Sequence, residues 1–142
     1  MRRDLGDGFE LDDDVDRVDV EAVHRFISEE SYWASGRELD VQRELVREAS
    51  RVVGLYHDRA QIGFCRAVAA PGMSFVYLAD VYVLTEYRGR GLGTELVREM
   101  IEAGPFNGRA WILHTEDAHG LYRKLGFDTP GYRVMERVPP AS

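Results

Sequence analysis

The sequence predicts an α/β domain with an antiparallel front half and a βαβ unit behind it. Two segments with helical spacing come first, followed by two strand-like segments that Asp58 and Arg59 separate as a hairpin. An apolar run at 75–84 then leads through a glycine-rich loop into a helical pattern and another strand-like segment. A chain of 142 residues suits one compact domain, which we place at 1–142.

Two helices are predicted before the hairpin, each from apolar residues at helical spacing and a carboxylate in the capping position. Asp19 is the predicted cap of the first helix and Asp40 that of the second. Serines and a glycine in the intervening segment SYWASGR interrupt the helical pattern. The apolar faces comprise Val20, Val23 and Ile27 in the first helix, and Val41, Leu45 and Ala49 in the second.

The middle of the chain predicts three strands. RVVGLYH and AQIGFCRAV form the hairpin, and a turn at 70–72 follows them. The run at 75–84 is rich in Val and Tyr, and both of its alternating faces are apolar. Such a run is typical of a central strand that is covered on both sides.

The last third of the chain predicts a helix, a strand, a short helix and a final strand. Leucines, a valine, a methionine and an isoleucine recur at helical spacing in LGTELVREMIEAG, and RAWILHT is the strand. DAHGLYRKLGF is a short helix that Gly126 ends. GYRVMERV alternates as the final strand, and residues 139–142 are expected to be a frayed end.

Composition limits the function classes. Eighteen basic and 25 acidic residues give a net charge of −7, so a nucleic-acid partner is not expected. The acidity is concentrated in Asp12, Asp13, Asp14, Asp16 and Asp19. Two interpretations of this cluster remain open: a solvated loop with a negatively charged helix start, or a field that attracts cationic substrates.

Other features indicate the compartment. No apolar run approaches the length of a bilayer span, and the first residues do not form a signal peptide. A single cysteine, Cys65, excludes an internal disulfide and a cysteine-based zinc site. We therefore expect a soluble cytoplasmic protein with no membrane partner and no metal, and we leave open whether it forms a homodimer.

The segment EYRGRGLGTELV has the features of an anion-binding loop. It joins the apolar run to a helix start, whose first N–H groups are unpaired and carry the positive end of the helix dipole. Gly91 and Gly93 let a ligand approach the backbone, and Arg88 and Arg90 add forked donors. A pyrophosphate is the expected guest, and a glycine-rich turn without a ligand is the alternative. Dinucleotide and P-loop fingerprints both fail, because Thr94 stands where the third glycine should be and the loop has no lysine.

The spacing in RGRGLG matches [RQ]-x-x-G-x-[GA] and resembles the acetyl-CoA loop of the GNAT family of N-acetyltransferases. ADVYVLTEYRG before it and LYRKLGF after it resemble the same family in the same order. The resemblance covers about residues 52–138 and is weak over the first two helices. It implies a GNAT-like, mostly antiparallel twisted sheet with a splayed central parallel pair, flanked by helices.

The resemblance also implies a site for acetyl-CoA as co-substrate. Loop N–H groups would hold the pyrophosphate, and the backbone of the strand before the loop would pair with the pantetheine arm as if that arm were another strand. Carried over by position, the cofactor-binding residues are Val81, Val83, Arg88, Gly89, Arg90, Gly91, Gly93 and Thr94.

Two residues are candidates for the chemistry. Tyr122 matches the family tyrosine that can protonate the departing thiolate, and a packing role is the alternative. Asp80 is the only charged residue in the run 75–84, and a buried carboxylate needs a partner or a task. Asp80 could bind and deprotonate a substrate ammonium, or pair with Arg66 on the neighbouring strand, and both roles are open. A strand N–H near Val81 could polarise the thioester carbonyl.

The aromatic pair Tyr32 and Trp33 is the candidate acceptor wall, for an apolar or cationic amine. A core anchor between the two helices is the alternative for Trp33. His119 could contact CoA or remain solvated. Thr115 stands where the family often has asparagine, and Thr115 or Asp117 could cap the following helix.

The predicted function is transfer of an acetyl group from acetyl-CoA to an amine by direct attack. A small-molecule amine suits the short chain and the acidic surface better than an acidic substrate does, and a protein N-terminus or lysine is the other acceptor considered. A CoA-binding regulatory module without turnover is the alternative function.

Overall fold

A computed structural model describes residues 1–141 and contains one six-stranded sheet whose strands lie in sequence order. Neighbouring strands are antiparallel from the first to the fifth, and the fifth and sixth are parallel. The strands are β1 Arg2–Gly6, β2 Phe9–Asp12, β3 Arg51–His57, β4 Ala60–Val68, β5 Phe75–Val83 and β6 Ala110–Ile112. The α-helices are α1 Val20–Glu30, α2 Leu39–Glu48, α3 Leu92–Glu102 and α4 His119–Arg123, with short 3-10 turns at Val15–Arg17 and Thr85–Tyr87.

The sheet separates two apolar clusters. Helices α1 and α2 cover one face, where Phe26 stacks on Tyr82 with ring centroids 4.3 Å apart. Helices α3 and α4 cover the other face, where Leu96 and Met100 are fully buried. Adjacent residues of β3 and β4 therefore enter different clusters, as Val52 and Val53 do, and nearly every residue of these strands is buried. This explains why the central strands have no polar face.

A β-bulge at Asp80 reverses the side-chain alternation of β5. Arg66 of β4 faces Ala79 and Phe64 faces Tyr82, so β5 has one residue more than β4 between these pairs. Asp80 takes up the extra residue with a left-handed φ of 54°. Because a shift of one residue exchanges the two faces, Tyr82 packs towards α1, whereas the earlier even-numbered residues of β5 pack towards α3.

The first helix has the predicted cap, but the second does not. The Asp19 side chain accepts the Ala22 N–H at 3.0 Å at the start of α1. Helix α2 begins one residue before Asp40, with Glu38 in the capping position, so the cap prediction for Asp40 was wrong. Val41 is exposed and Gln42 is buried instead, which shifts the inner face by one position. A hydrogen bond from Arg37 Nη1, 3.0 Å long, satisfies the buried Gln42 Oε1, whereas Gln42 Nε2 is buried without a partner.

The N-terminal hairpin β1–β2 was not predicted. Gly6, Asp7 and Gly8 join its strands, and all three have positive φ, as a tight turn requires. Asp12 and Asp13 are not solvated loop residues, so that interpretation of the acidic cluster was wrong for them. Each accepts from a guanidinium: Arg17 Nη1 lies 3.0 Å from Asp12 Oδ2, and Arg51 Nη2 lies 3.1 Å from Asp13 Oδ2.

The C-terminal part differs most from the prediction. RAWILHT forms a strand only over β6, and GYRVMERV forms none, so the final strand was wrong. Tyr132 and Met135 are 90% and 94% exposed, so alternation there is not supported by burial. A strand also needs a partner backbone, and β6 presents an edge of only three residues. Residues 139–141 form neither helix nor strand, and Ser142 lies outside the described residues.

Candidate active site

The site lies where the parallel strands β5 and β6 separate. They pair from Phe75 and Ala110 as far as Tyr77 and Ile112, and a cavity of about 240 Å³ opens beyond those residues. The bulge at Asp80 bends β5 at this point. We call this space, between the carboxyl-terminal ends of the two strands, the inner cavity. The opening agrees with the predicted splayed parallel pair.

The backbone of β5 is oriented towards this gap at the predicted residues. Leu84 N–H donates to Ile62 O of the β3–β4 hairpin at 2.8 Å. Because backbone groups alternate in direction along a strand, those of Val81 and Val83 point away from β4 and into the opening. Arg88 Nε donates to Val83 O at 3.2 Å, so that carbonyl already has one partner. Pairing of these two residues with a pantetheine arm stays a prediction.

The glycine-arginine loop opens onto a second space, the loop cleft, of about 540 Å³. Gly89 and Gly91 have φ of 81° and 76°, and a Cβ at either position would meet no protein atom within 4 Å. Gly91 is the N-cap of α3 and cannot satisfy the N–H groups of the first turn with a side chain. The loop therefore presents free helix N–H groups to a concave surface, and these fit an anion.

The other loop residues have different surroundings. Gly93 is a packing residue, because a Cβ there would lie 3.1 Å from Leu121 Cδ1 of the neighbouring helix. Arg88 lines the loop cleft beside Gly93 and Thr94. Arg90 does not line it: its guanidinium lies 5.7 Å from the centre of the Tyr87 ring. Of the two arginines predicted to face a phosphate, only Arg88 is in position.

The loop cleft and the inner cavity share a wall. Within the predicted set, the structure places every cofactor residue except Arg90 at the loop cleft, and places Asp80 only at the inner cavity. The two spaces are therefore neighbours that border the same set of residues. The residues that line both are Tyr32, Trp33, Val81, Asp117, Ala118 and Tyr122.

Tyr122 is the centre of this shared wall. It lies in α4, is almost fully buried, and packs edge-on against Phe127 with ring centroids 5.7 Å apart. Burial raises the pKa of its hydroxyl above the ordinary value, so the group is protonated at neutral pH. A protonated hydroxyl on the wall between the two spaces can donate to an atom in either.

Asp80 has the ion pair that was one of its two predicted roles. Its Oδ2 accepts from Arg66 Nε at 2.7 Å and from Arg37 Nη1 at 2.8 Å, and Trp33 Nε1 lies 3.3 Å from Oδ1. Burial alone would raise the pKa of this carboxyl, but Arg66 and Arg37 outweigh it and hold the pKa below 3.8. A carboxylate so occupied is a poor proton acceptor.

The aromatic pair lies at the mouth of the site. Trp33 is 44% exposed, so the interpretation as a core anchor was wrong. The Tyr32 and Trp33 rings meet edge to face, with centroids 5.3 Å apart. Tyr32 Oη accepts the Glu116 N–H at 2.8 Å, which ties the α1–α2 connection to the segment before α4. Tyr32 and Trp33, in the α1–α2 connection, thus border both the inner cavity and the loop cleft.

Arg37 was missed from the sequence. It follows the glycine of the SYWASGR segment, and its contact with Asp80 spans 43 positions of the chain. No local pattern signals such a contact. The same guanidinium also reaches Gln42 of α2, so a line of hydrogen bonds runs from the inner cavity to that helix. The charged residues Arg37, Arg66 and Asp80 of this cavity therefore come from the α1–α2 connection, β4 and β5.

The remaining residues singled out in the sequence have structural contacts or lie away from the shared wall, except Asp117, which lines it. Thr115 Oγ1 accepts the Ala118 N–H at 3.1 Å just before α4, whereas no side-chain bond from Asp117 caps that helix. His119 Nε2 contacts Thr115 O at 3.2 Å and lines a cavity of about 500 Å³ outside β6. Cys65 is fully buried, and burial raises the pKa of its thiol, so it is not an available nucleophile.

Residues 1–141 contain neither a membrane-spanning helix nor a cluster of metal ligands. No helix in this part of the chain is both long and apolar enough to cross a bilayer. Nor do these residues contain a group of three or more His, Cys, Asp or Glu side chains arranged to hold a metal ion.

A splayed parallel pair, an anion-binding helix start after its first strand and a buried tyrosine beside the gap define an acyltransferase-type site. The model of the acetyltransferase (GNAT) domain matches residues 48–129, which is more than half of the chain. The chain belongs to the GNAT family of acetyltransferases. The predicted family and fold class are thereby confirmed.

Individual relatives agree with this assignment. A Xanthomonas campestris pv. campestris protein described as a GNAT-family acetyltransferase superposes with a TM-score of 0.83 at 32% identity, over 93% of this chain and 94% of that one. A Gibberella zeae protein named as an acetyltransferase is 26% identical over 133 residues, 77% of this chain and 73% of that protein. Thialysine N-epsilon-acetyltransferase of Mus musculus is 38% identical over 56 residues, 36% of this chain and 33% of that protein.

Proposed function

We propose that the protein is an N-acetyltransferase that transfers an acetyl group from acetyl-CoA to a primary amine of a small molecule, by direct attack in a ternary complex. One observation carries the proposal: the anion-binding loop cleft and the smaller inner cavity meet at a single wall that contains Tyr122 and Val81. Two reactants can therefore enter from different sides and meet there.

The loop cleft fits the cofactor. Free N–H groups at the start of α3 and the Arg88 guanidinium suit a pyrophosphate, and the open space beside Gly89 and Gly91 lets its oxygens approach the backbone. The outward-facing backbone of Val81 and Val83 suits an extended amide-bearing arm. When bound, acetyl-CoA supplies the acetyl group as a reactive thioester.

The transfer forms a C–N bond and breaks a C–S bond, while the amine nitrogen loses a proton and the sulfur gains one. The N–H of Val81 points into the gap and can stabilise negative charge on the carbonyl oxygen. Tyr122 donates a hydrogen bond to the departing sulfur. Its raised pKa opposes full ionisation, so its proton moves only as thiolate charge develops.

No carboxylate of the inner cavity is assigned as the base. Asp80 has a lowered pKa and two arginine partners, and we give it the task of positioning Arg37 and Arg66. The proton of the acceptor ammonium is lost to solvent at the open side of the site. Turnover should therefore rise with pH as more of the acceptor amine becomes neutral.

The family assignment supports acetyl transfer, and the name of the mouse relative supports an amine as the acceptor. A CoA-binding module without turnover would have the same loop cleft. Thermal shifts with acetyl-CoA, CoA, ATP and NAD, followed by thiol release with a panel of amines, test the proposal. Stabilisation by acetyl-CoA with thiol release supports it, whereas stabilisation without release from any amine identifies the non-catalytic module.

The loop assignment has its own test in Gly91→Val. We expect the variant to lose measurable acetyl-CoA binding in calorimetric titration, because its side chain would fill the space beside the helix N–H groups. Valine at positive φ is also strained. Gly72→Val is the matched control, since Gly72 has φ of 83°, lies in the surface turn and does not line the cleft. Equal binding by both variants would refute the loop assignment.

A further inference from the structure

Arg66 presents unused hydrogen-bond donors to the inner cavity. Its side chain is only 10% exposed, and its Nε donates to Asp80 Oδ2 at 2.7 Å. Its Nη1 and Nη2 donate to no oxygen of residues 1–141, yet they are not sealed in the core, and the residue lines the cavity. A guanidinium that is nine-tenths buried and retains a free edge is a built anion site.

The charge around Arg66 is positive. Arg37 and Arg66 both lie on Asp80, so the trio carries two positive charges and one negative charge, a net charge of +1. The Asp80 carboxylate has no oxygen left over, because Trp33 lies against Oδ1. Arg37 is held in addition by Gln42. A preorganised positive pair therefore faces a small space of about 240 Å³.

The positive pair and the shared wall are formed by different residues of the inner cavity. Arg37 and Arg66 line the inner cavity but not the loop cleft, whereas Val81, Asp117 and Tyr122 line both. Asp117 is exposed and acidic, so it suits a cation at the shared wall. A molecule that fills the inner cavity can thus have its amine at the shared wall and an anionic group against Arg37 and Arg66.

We propose that the acceptor carries a carboxylate in addition to its reacting amine, as a small amino acid does, and that Arg66, positioned by Asp80 and aided by Arg37, binds that carboxylate. A planar guanidinium edge matches the two oxygens of a carboxylate. This rests on the proposed acetyl transfer and names its substrate class. It also reverses the expectation from the overall charge of −7, because the cluster of Arg37, Arg66 and Asp80 in the inner cavity has the opposite sign.

The first test uses the wild-type protein and sets of three matched acceptors: an amino acid, its amide, and the amine that remains after loss of the carboxyl group. Thiol release is followed at saturating acetyl-CoA. We expect kcat/KM for the acid to exceed that for the other two by about 10- to 100-fold, as for a hydrogen bond to a charged group. Equal kcat/KM values for the three acceptors would overturn the inference of a carboxylate site without contradicting the proposed acetyl transfer. No release from any amine overturns the proposed function.

The second test uses variants and the same acceptors. Arg66→Gln should lower kcat/KM for the acid by about 10-fold or more and change that for the amide little. Arg66→Lys should recover part of the preference. Arg17→Gln is the control, because Arg17 pairs with Glu10 and Asp12 away from both spaces. Melting curves and acetyl-CoA titration establish whether each variant is folded. If Arg66→Gln is not folded, Arg37→Gln replaces it in the same assay. An unchanged preference in the folded variant overturns the role of these arginines.

Discussion

Two buried arginine–carboxylate clusters in this protein have similar chemistry and different surroundings. In the closed cluster, Arg51 is 6% exposed and meets Asp13, Glu99 and the end of α3. In the open cluster, Arg66 and Arg37 meet Asp80 at the edge of the inner cavity. A buried ion pair alone therefore does not separate the two clusters, and the property that differs is whether donors remain accessible from a cavity.

In the closed cluster both Nη atoms of Arg51 donate to the protein itself, and its Nε is buried without a partner. Arg51 Nη1 donates to Glu99 O at 2.9 Å and to Met100 O at 3.2 Å, so a positive charge lies at the carboxyl end of α3. A Cβ on Gly104 would lie 2.5 Å from Arg51 Nη1, which shows how tightly the guanidinium is enclosed. None of the three cavities described above includes Arg51 in its lining. This cluster holds α3 against β3, and nothing in it is left for a ligand.

The comparison predicts the largest effect for the closed cluster. Arg51→Gln should lower the free energy of unfolding by about 3–5 kcal/mol, because Glu99 would remain buried with less compensation. Urea denaturation measures this. Arg98→Gln is the control, since Arg98 pairs with Glu95 and Glu102 on the surface and should matter by less than about 1 kcal/mol.

The same variant also tests the separation of the two clusters. Acetyl-CoA affinity and the preference for acid over amide acceptors should be unchanged in the folded fraction of Arg51→Gln. A changed preference would mean that the two clusters are coupled, and a loss of stability no larger than that of the Arg98 control would mean that the closed cluster does not hold α3.

The second largest effect is expected at the shared wall that contains Tyr122, which the open cluster adjoins and the closed cluster does not. Tyr122→Phe keeps the ring and its packing on Phe127, and removes the proton donor. We expect kcat to fall by about one to three orders of magnitude with little change in acetyl-CoA affinity or melting temperature. Stopped assays with the best acceptor and calorimetric titration measure both quantities. Equal turnover in the two proteins would reduce Tyr122 to a packing residue.

The elements that the sequence predicted are those whose signal is local. The β3–β4 hairpin, β5, the loop and α3 follow from runs of apolar residues, turn residues and a glycine motif in consecutive positions. The β1–β2 hairpin also had a local signal, because Gly6, Asp7 and Gly8 separate short segments with alternating apolar residues. The acidic residues at 12–19 hid this signal, because they were interpreted as a solvated loop. The arginines that pair with them follow the hairpin or are distant in sequence.

The site was predictable in its loop and only in part in its charge, since the pairing of Asp80 with Arg66 was one of two expected roles and Arg37 was not foreseen. Gly89 and Gly91 lie where the motif predicted them, because the residues that form a helix start are consecutive in the sequence. Arg37 could not be assigned, since its contacts with Asp80 depend on how α2 docks on the sheet. The left-handed residue at Asp80 has no sequence signature beyond a lone carboxylate in an apolar strand. Its bulge, however, decides which side chains reach the gap.

The smallest expected effect comes from Asp80→Asn, which leaves the open cluster its shape and removes its negative charge. The two guanidiniums would lose their shared negative charge, but both border a cavity that water can enter. We therefore expect a loss of about 1–3 kcal/mol in the free energy of unfolding at neutral pH, less than for Arg51→Gln. Urea denaturation of both variants under the same conditions gives the ranking.

The pH dependence of that loss distinguishes the two roles first considered for Asp80. Its folded-state pKa lies below 3.8, so its ion pair stabilises the protein above that value and ceases to do so as the pH falls through the folded-state pKa. The difference in stability between wild type and Asp80→Asn should be constant from about pH 5 to pH 8 and shrink below about pH 4. Because our proposal does not assign Asp80 as the base, we expect the slope of log kcat/KM against pH to be the same in both proteins. A flattened slope or recovery of the variant's rate only at high pH, with unaltered stability, would return Asp80 to the role of proton acceptor.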